Sequence, residues 1–264
     1  MDERLKVNLD AWNQMARIHA ASPEYRLAEF KAGANVLKPI ELREVGDVRG
    51  KSLLHMQCHF GLDTMSWGRM GANITGVDFS DEAIALARSI SSELKIPARF
   101  IQSNIYEAPN VLHEQFDIVF TSYGALCWLP DIPRWAQVAA SFVKPSGFFY
   151  IAEFHPLIQI ARNREGVTEL EYEFSYFHTP MVEDPPSPDY SDKSKIVSET
   201  HLWMYRLGDI VSALAAAGLR IEYLHEFAGC IHPHLPFMKQ QADGMWHIEG
   251  DPIPTIFSIK ATKP

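Results

Sequence analysis

The chain has 264 residues, 47% of them hydrophobic, which fits one large α/β domain with a substantial core. Its 24 Lys and Arg against 33 Asp and Glu give a formal net charge of −9, and no basic stripe of the kind a nucleic-acid surface needs is present. Nothing resembles a signal peptide and no apolar run is long enough to cross a bilayer. Three scattered cysteines, Cys58, Cys127 and Cys230, with no Cys-x-x-Cys, argue for a reducing compartment and against structural zinc. The expectation is therefore a cytoplasmic protein with a small-molecule partner, no nucleic acid, no membrane and no metal.

Residues 1–50 precede the sheet and read as a helical cap. Leu5, Leu9, Trp12, Met15 and His19 recur at helical spacing; Ser22-Pro23 ends that helix, and short helices are expected at Glu24–Lys31 and Leu37–Val45. Ser52–Met56 is short and mostly apolar, as a strand covered on both faces should be. Gln57–Gly61 is a sharp turn, Leu62, Met65, Trp67 and Met70 mark a helix, and Asn73–Val77 is the next strand, with Asp78 at its end. A strand, turn, helix and strand ending in an acid about 20 residues past the turn is a geometry that holds a nucleoside. The turn offers backbone N–H groups and the acid accepts from ribose hydroxyls.

Ser80 is placed to cap the helix that follows, with Asp81 and Glu82 in its first turn. Phe79 directly follows the acid, where its ring could lie on an adenine face or simply pack. Ala98–Gln102 is a third strand, followed by Asn104 and Ile105. Phe116–Phe120 is a fourth; Thr121 to Gly124 leave it at the end of the sheet where ligands of open α/β folds bind. Ile132–Val143 is a helix, then comes a turn, Lys144-Pro145-Ser146-Gly147, and a fifth strand, Phe148–Glu153.

Beyond Phe154 the pattern changes. Residues 157–205 read as an insertion. Within it Thr168–Phe177 alternates strictly, a strand signal, with Ser198–Tyr205 as its hairpin partner and a Pro-, Asp- and Ser-rich exposed loop, Val182–Lys195, between them. This hairpin covers the site or makes a homodimer contact; the sequence leaves both open. Leu207–Ala217 is a helix, and Leu219–Phe227 and Thr255–Ala261 are closing strands. No repeat or linker divides residues 1–264.

These features resemble class I S-adenosylmethionine (SAM)-dependent methyltransferases from about Leu53 to Ala261. The first motif of that family is a strand followed by acid-x-Gly-x-Gly-x-Gly. Here His55 takes the acid's place, Gln57 and His59 take two glycines, and Gly61 matches the last. Gly76-Val77-Asp78-Phe79-Ser80 and the Lys144–Gly147 turn also match. The resemblance implies a Rossmann-like, seven-stranded, mostly parallel sheet with helices on both faces, carrying an N-terminal cap and an inserted hairpin. It implies SAM as cofactor, held by Gln57, His59, Gly61, Asp78, Phe79, Asn104, Ile105 and Thr121, with Asn104 standing where the family has an acid. It implies in-line methyl transfer to a small molecule. His155, after the fifth strand, is the candidate base because an imidazole titrates near neutrality; Tyr123 and His201 are alternatives. A nicotinamide-dependent oxidoreductase is disfavoured by the missing glycines, and a nucleotide-binding protein of the same fold without turnover is a third reading.

Overall fold

The structure is a computed structural model that describes residues 2–178 and 181–264. Met1, Thr179 and Pro180, which fall within the expected cap and insertion, lie outside the described residues. Helix α1 (Glu3–Ala21) is capped by Asp2, whose side chain accepts the Arg4 N–H. A 3₁₀ turn and helices α2 (Leu27–Lys31) and α3 (Pro39–Val45) lead to strand β1 (Ser52–Met56). Then follow α4 (Leu62–Arg69), β2 (Asn73–Asp78), α5 (Asp81–Leu94), β3 (Ala98–Gln102), β4 (Phe116–Ser122), α6 (Ile132–Phe142) and β5 (Val143–Phe154). The insertion carries α7 (Pro156–Gln159), β6 (Met181–Asp184), β7 (Ser187–Pro188), β8 (Ile196–Val197) and β9 (Thr200–Trp203). The chain closes with α8 (Leu207–Ala216), β10 (Arg220–Phe227), β11 (Lys239–Gln240), β12 (Trp246–His247) and β13 (Ile256–Thr262).

Seven strands form one sheet in the order β10-β13-β5-β4-β1-β2-β3. The five from β3 to β5 run parallel; β13 and β10 are antiparallel to their neighbours. Both faces of the central strands are covered, which is why β1, β4 and β5 are mostly apolar, whereas the edge strands β3 and β10 carry exposed polar residues such as Arg99, Arg220 and Glu226. One face, with Leu54, Met56, Val119 and Phe149, packs on α6 and α8. The other, with Leu53, Ile74, Phe100 and Phe120, packs on α3, α4 and α5. Strand order reverses beside β1, between β2 on one side and β4 on the other, so the loops after β1 and β4 diverge and open the crevice where such sheets bind ligands.

Helix α5 starts as the sequence predicts: the Ser80 hydroxyl accepts the Ala83 N–H at 3.0 Å. The hairpin differs from expectation. Thr168–Phe177 is not a strand; Tyr172 makes a single bridge to Ala161, and ion pairs from Arg162 to Glu171 and Arg164 to Glu173 hold the segment. The strand that pairs with β9 is β6, which begins at Met181 and runs on into the stretch read as an exposed loop. Alternation shows that a segment has two faces; it does not supply a partner, and here the charged side is consumed by arginines that precede it in the chain.

Candidate active site

The turn after β1 keeps the backbone of a glycine-rich loop without most of its glycines. Gln57, His59 and Gly61 all have positive φ, +52°, +50° and +78°. These are the three alternating positions at which the resembled motif has glycine. A left-handed residue with a side chain costs about 1–2 kcal/mol, so two such residues in succession are a strained arrangement that the surrounding bonds must hold. The Cys58 N–H donates to Val77 O and the Gly61 N–H to Cys58 O. Gly61 must remain glycine for a second reason: a Cβ there would stand 2.6 Å from the Phe100 ring.

Asp78 ends β2 and turns inward to this loop. One carboxylate oxygen accepts the His59 N–H at 2.8 Å and the other the Ser80 N–H at 2.9 Å. The side chain is 8% exposed. Burial pushes its pKa up to about 6, against the pull of those N–H groups. Each oxygen retains a further lone pair for a ligand hydroxyl.

Around the turn lie buried polar atoms with no partner among the described residues: both amide atoms of Gln57, Nδ1 of His59, Nε1 of Trp12 and Oγ1 of Thr121. Native interiors leave few such atoms, each at a cost of about 1–3 kcal/mol. Donors and acceptors gathered at one strand end, with no Lys or Arg among them, suit a polar ligand of mixed charge without phosphates. Of the other expected contacts, Ile105 is buried. Asn104 caps a 3₁₀ turn through its side-chain oxygen, which accepts the Tyr106 N–H; its NH₂ and the oxygen's second lone pair are left to meet a ligand. Phe79 is half-buried, and its carbonyl accepts from Gln102.

The cap and the insertion close over this turn. Trp12 stands edge-on to His59 and to Trp128, with ring centroids 5.2 and 5.1 Å apart. His19 Nδ1 is 3.0 Å from His59 Nε2, and His19 Nε2 is 3.0 Å from Asp189 Oδ2. The hydroxyls of Tyr25 and Tyr190 are bonded to each other. Asp189 belongs to the stretch read as exposed but is only 3% exposed, because its Oδ1 organises its own loop by accepting from Ser191 and Asp192. Spacing alone carries no trace of its meeting with His19; the Asp-x-Ser-Asp turn pattern was the available signal.

His155 stands apart from this cluster. It caps α7, and Nδ1 accepts the Leu157 N–H at 3.1 Å. The proton of the neutral ring must then sit on Nε2, which faces Glu226 Oε1 at 3.0 Å without the alignment of a hydrogen bond. No lone pair is left for a substrate proton. Tyr123 donates to Glu41 at 2.8 Å. His201 is clamped at its backbone by Asn8, with both bonds 2.8 Å. Glu153 accepts the N–H groups of Gly124, Ala125 and Leu126 and so shapes the loop after β4. Beside that loop a small cleft is lined by Cys127, Phe154, Tyr176, Trp203 and Tyr205. Among the described residues no cluster of three His, Cys, Asp or Glu could hold a metal, and no helix is long and apolar enough to cross a membrane.

Comparison with known proteins bears on the same elements. Residues 54–151 match the family model described as "Methyltransferase domain". The ubiquinone biosynthesis O-methyltransferase of Shewanella pealeana is 33% identical over 129 residues, 47% of this chain and 53% of that protein. That of Photorhabdus laumondii is 30% identical over 111 residues, 42% and 46% of the two chains. The chain thus spans about half the length of these curated relatives. Among solved structures, a SAM-dependent methyltransferase from Mesorhizobium loti superposes with a TM-score of 0.61 at 21% identity, covering 88% of this chain and all of the other. A glycopeptide N-methyltransferase complexed with SAM gives 0.55 at 16% identity, covering 85% and 93%. At such identities these structures establish the fold. The matching domain model, the strand order and the glycine-type turn followed by Asp78 agree: residues 54–151 form a methyltransferase domain by their match, and the chain has the fold of SAM-dependent methyltransferases.

Proposed function

We propose that the protein transfers a methyl group from SAM to a small-molecule acceptor. The observation that carries this is the pairing of Asp78 with a left-handed, phosphate-unfriendly turn whose polar side chains are buried without partners. SAM supplies an activated methyl on a sulfonium. What the chain must do is hold the nucleophile, the methyl carbon and the sulfur in line in a dry site. In this reading Asp78 accepts from both ribose hydroxyls, while Gln57, His59 and Thr121 meet the amino-acid end. Phe79, Ile105 and Asn104 border the adenine, and Gly61 lets the backbone come close. Trp12, Tyr25 and Tyr190 keep water out. Residues 1–264 act as one unit, with the cap and insertion as its cover.

One expectation is revised. His155 is proposed as a helix cap and not as the base, since its ring nitrogens already face protein groups. The acceptor is proposed to enter by the cleft at Cys127, Trp203 and Tyr205; its aromatic lining favours a flat or apolar molecule. The relatives' names, one O- and one N-methyltransferase, leave the receiving atom open. The experiment is a thermal shift with SAM and S-adenosylhomocysteine, followed by detection of S-adenosylhomocysteine formed from SAM across a panel of phenols, amines and thiols. A folded protein that shifts with neither ligand at millimolar concentration overturns the reading.

A further inference from the structure

The cap, the insertion and the turn meet in a chain of three side chains that the methyltransferase fold does not require. Asp189 of the insertion, His19 of α1 and His59 of the turn are linked by two 3.0 Å contacts. His19 is wholly buried and Asp189 nearly so. We propose that Asp189 and His19 are positioning residues that fix the tautomer of His59, presenting its Nδ1 lone pair to the α-ammonium group of the SAM amino-acid end. The inference rests on the proposed cofactor and goes beyond it by assigning a role to two residues outside the cofactor motifs.

The argument follows the protons. The Asp189 carboxyl is held down at about 2: burial pushes it up, and hydrogen bonds from His19 and Ser191 more than reverse that. As a carboxylate it only accepts, so His19 Nε2 carries a proton. In the proposed relay His19 holds a single proton, on Nε2, and its Nδ1 lone pair receives the proton of His59 Nε2 across the 3.0 Å contact. His59 is neutral, because burial pushes it well below the usual histidine range. Its remaining nitrogen, Nδ1, is therefore a bare acceptor, and it is one of the buried atoms without a partner. An acceptor without a donor is what an ammonium group satisfies. The ring is held from other sides by Trp12, Tyr25 and Phe60, with centroids 5.2, 5.5 and 4.4 Å away, so it cannot turn Nδ1 elsewhere without breaking the chain. The relay also makes closure of the cap and insertion a condition for full affinity, since neither Asp189 nor His19 belongs to the sheet.

The test compares S-adenosylhomocysteine with 5′-methylthioadenosine, which keeps the adenosine and sulfur but lacks the amino-acid end. Calorimetry with the full chain should show that Asp189→Ala and His59→Ala each lower the preference for S-adenosylhomocysteine about tenfold, while 5′-methylthioadenosine affinity stays within about threefold. The double variant should lose no more than His59→Ala alone, because both act through one atom. Nitrogen-15 NMR of the wild-type protein should find the His59 proton on Nε2 and Nδ1 bare. An unchanged preference in Asp189→Ala, a double-variant loss equal to the product of the single losses, or a proton on His59 Nδ1 overturns the relay while leaving the methyltransferase reading intact. Wild-type protein that binds neither nucleoside overturns both.

Discussion

Two histidines stand just past the ends of parallel strands, and they teach opposite lessons. His155, after β5, has the position expected of a catalytic base, yet one nitrogen caps α7 and the other faces Glu226. His59, after β1, stands where the family has glycine; its backbone is left-handed and its Nδ1 is buried without a partner. A ring whose acceptor nitrogen is already taken by a helix N–H has a structural explanation. A left-handed residue carrying a buried acceptor without a partner is an arrangement that folding alone does not favour, and is better explained by a ligand.

That contrast can be broken at several points. The largest expected effect is at Asp78. Ligand at 100 times its dissociation constant should add about 2.7 kcal/mol to wild-type stability, and Asp78→Ala should remove most of that increment in a thermal-shift assay. A full increment in the variant would refute the ribose role. Next is pH. Burial raises the Asp78 carboxyl from 3.8 to about 6 in the folded protein. Between those values the folded state binds the extra proton, so this group's contribution to stability falls as pH rises. Ribose hydroxyls donate to the ionised form, so affinity for S-adenosylhomocysteine should rise with pH up to about 6, at most tenfold per unit, and then level off. Asp78→Asn should flatten that limb; an unaltered slope would assign it to another group.

Smaller effects sharpen the comparison of the histidines. His155→Ala should cost about 1 kcal/mol through the lost cap, read by denaturant unfolding, with cofactor affinity unchanged. A large loss of affinity would restore His155 to the site. Gln57→Gly should relieve left-handed strain of about 1–2 kcal/mol, offset in part by glycine's greater chain entropy of about 0.5–1 kcal/mol. The free protein should gain up to about 1 kcal/mol while binding S-adenosylhomocysteine more weakly. Lower stability would show that the amide is held by the protein itself.

Much of this arrangement is legible in the sequence because it is local. The apolar strands, Ser80 as a cap and Asp78 at the tip of β2 follow from neighbours within a turn or a strand. Gln57 and His59 stand at the glycine positions of the motif they resemble, and both have positive φ. What was hidden depends on partners far along the chain. Thr168–Phe177 alternates like a strand but lacks a partner, whereas β6 pairs with β9 although its sequence looks like loop. Asp189 looks solvated until His19, 170 positions away, is brought against it. His155 makes a related point: position at a strand end is visible in sequence, but what its nitrogens face is not.

The most direct measurement of the central claim is a crystal structure of the protein with S-adenosylhomocysteine. The ligand should lie across the ends of β1 and β2, with both ribose hydroxyls on the Asp78 carboxylate and its amino-acid end among Gln57, His59 and Thr121. Ligand bound elsewhere, or Asp78 still engaged only with the His59 and Ser80 N–H groups while the ribose sits apart, would contradict it.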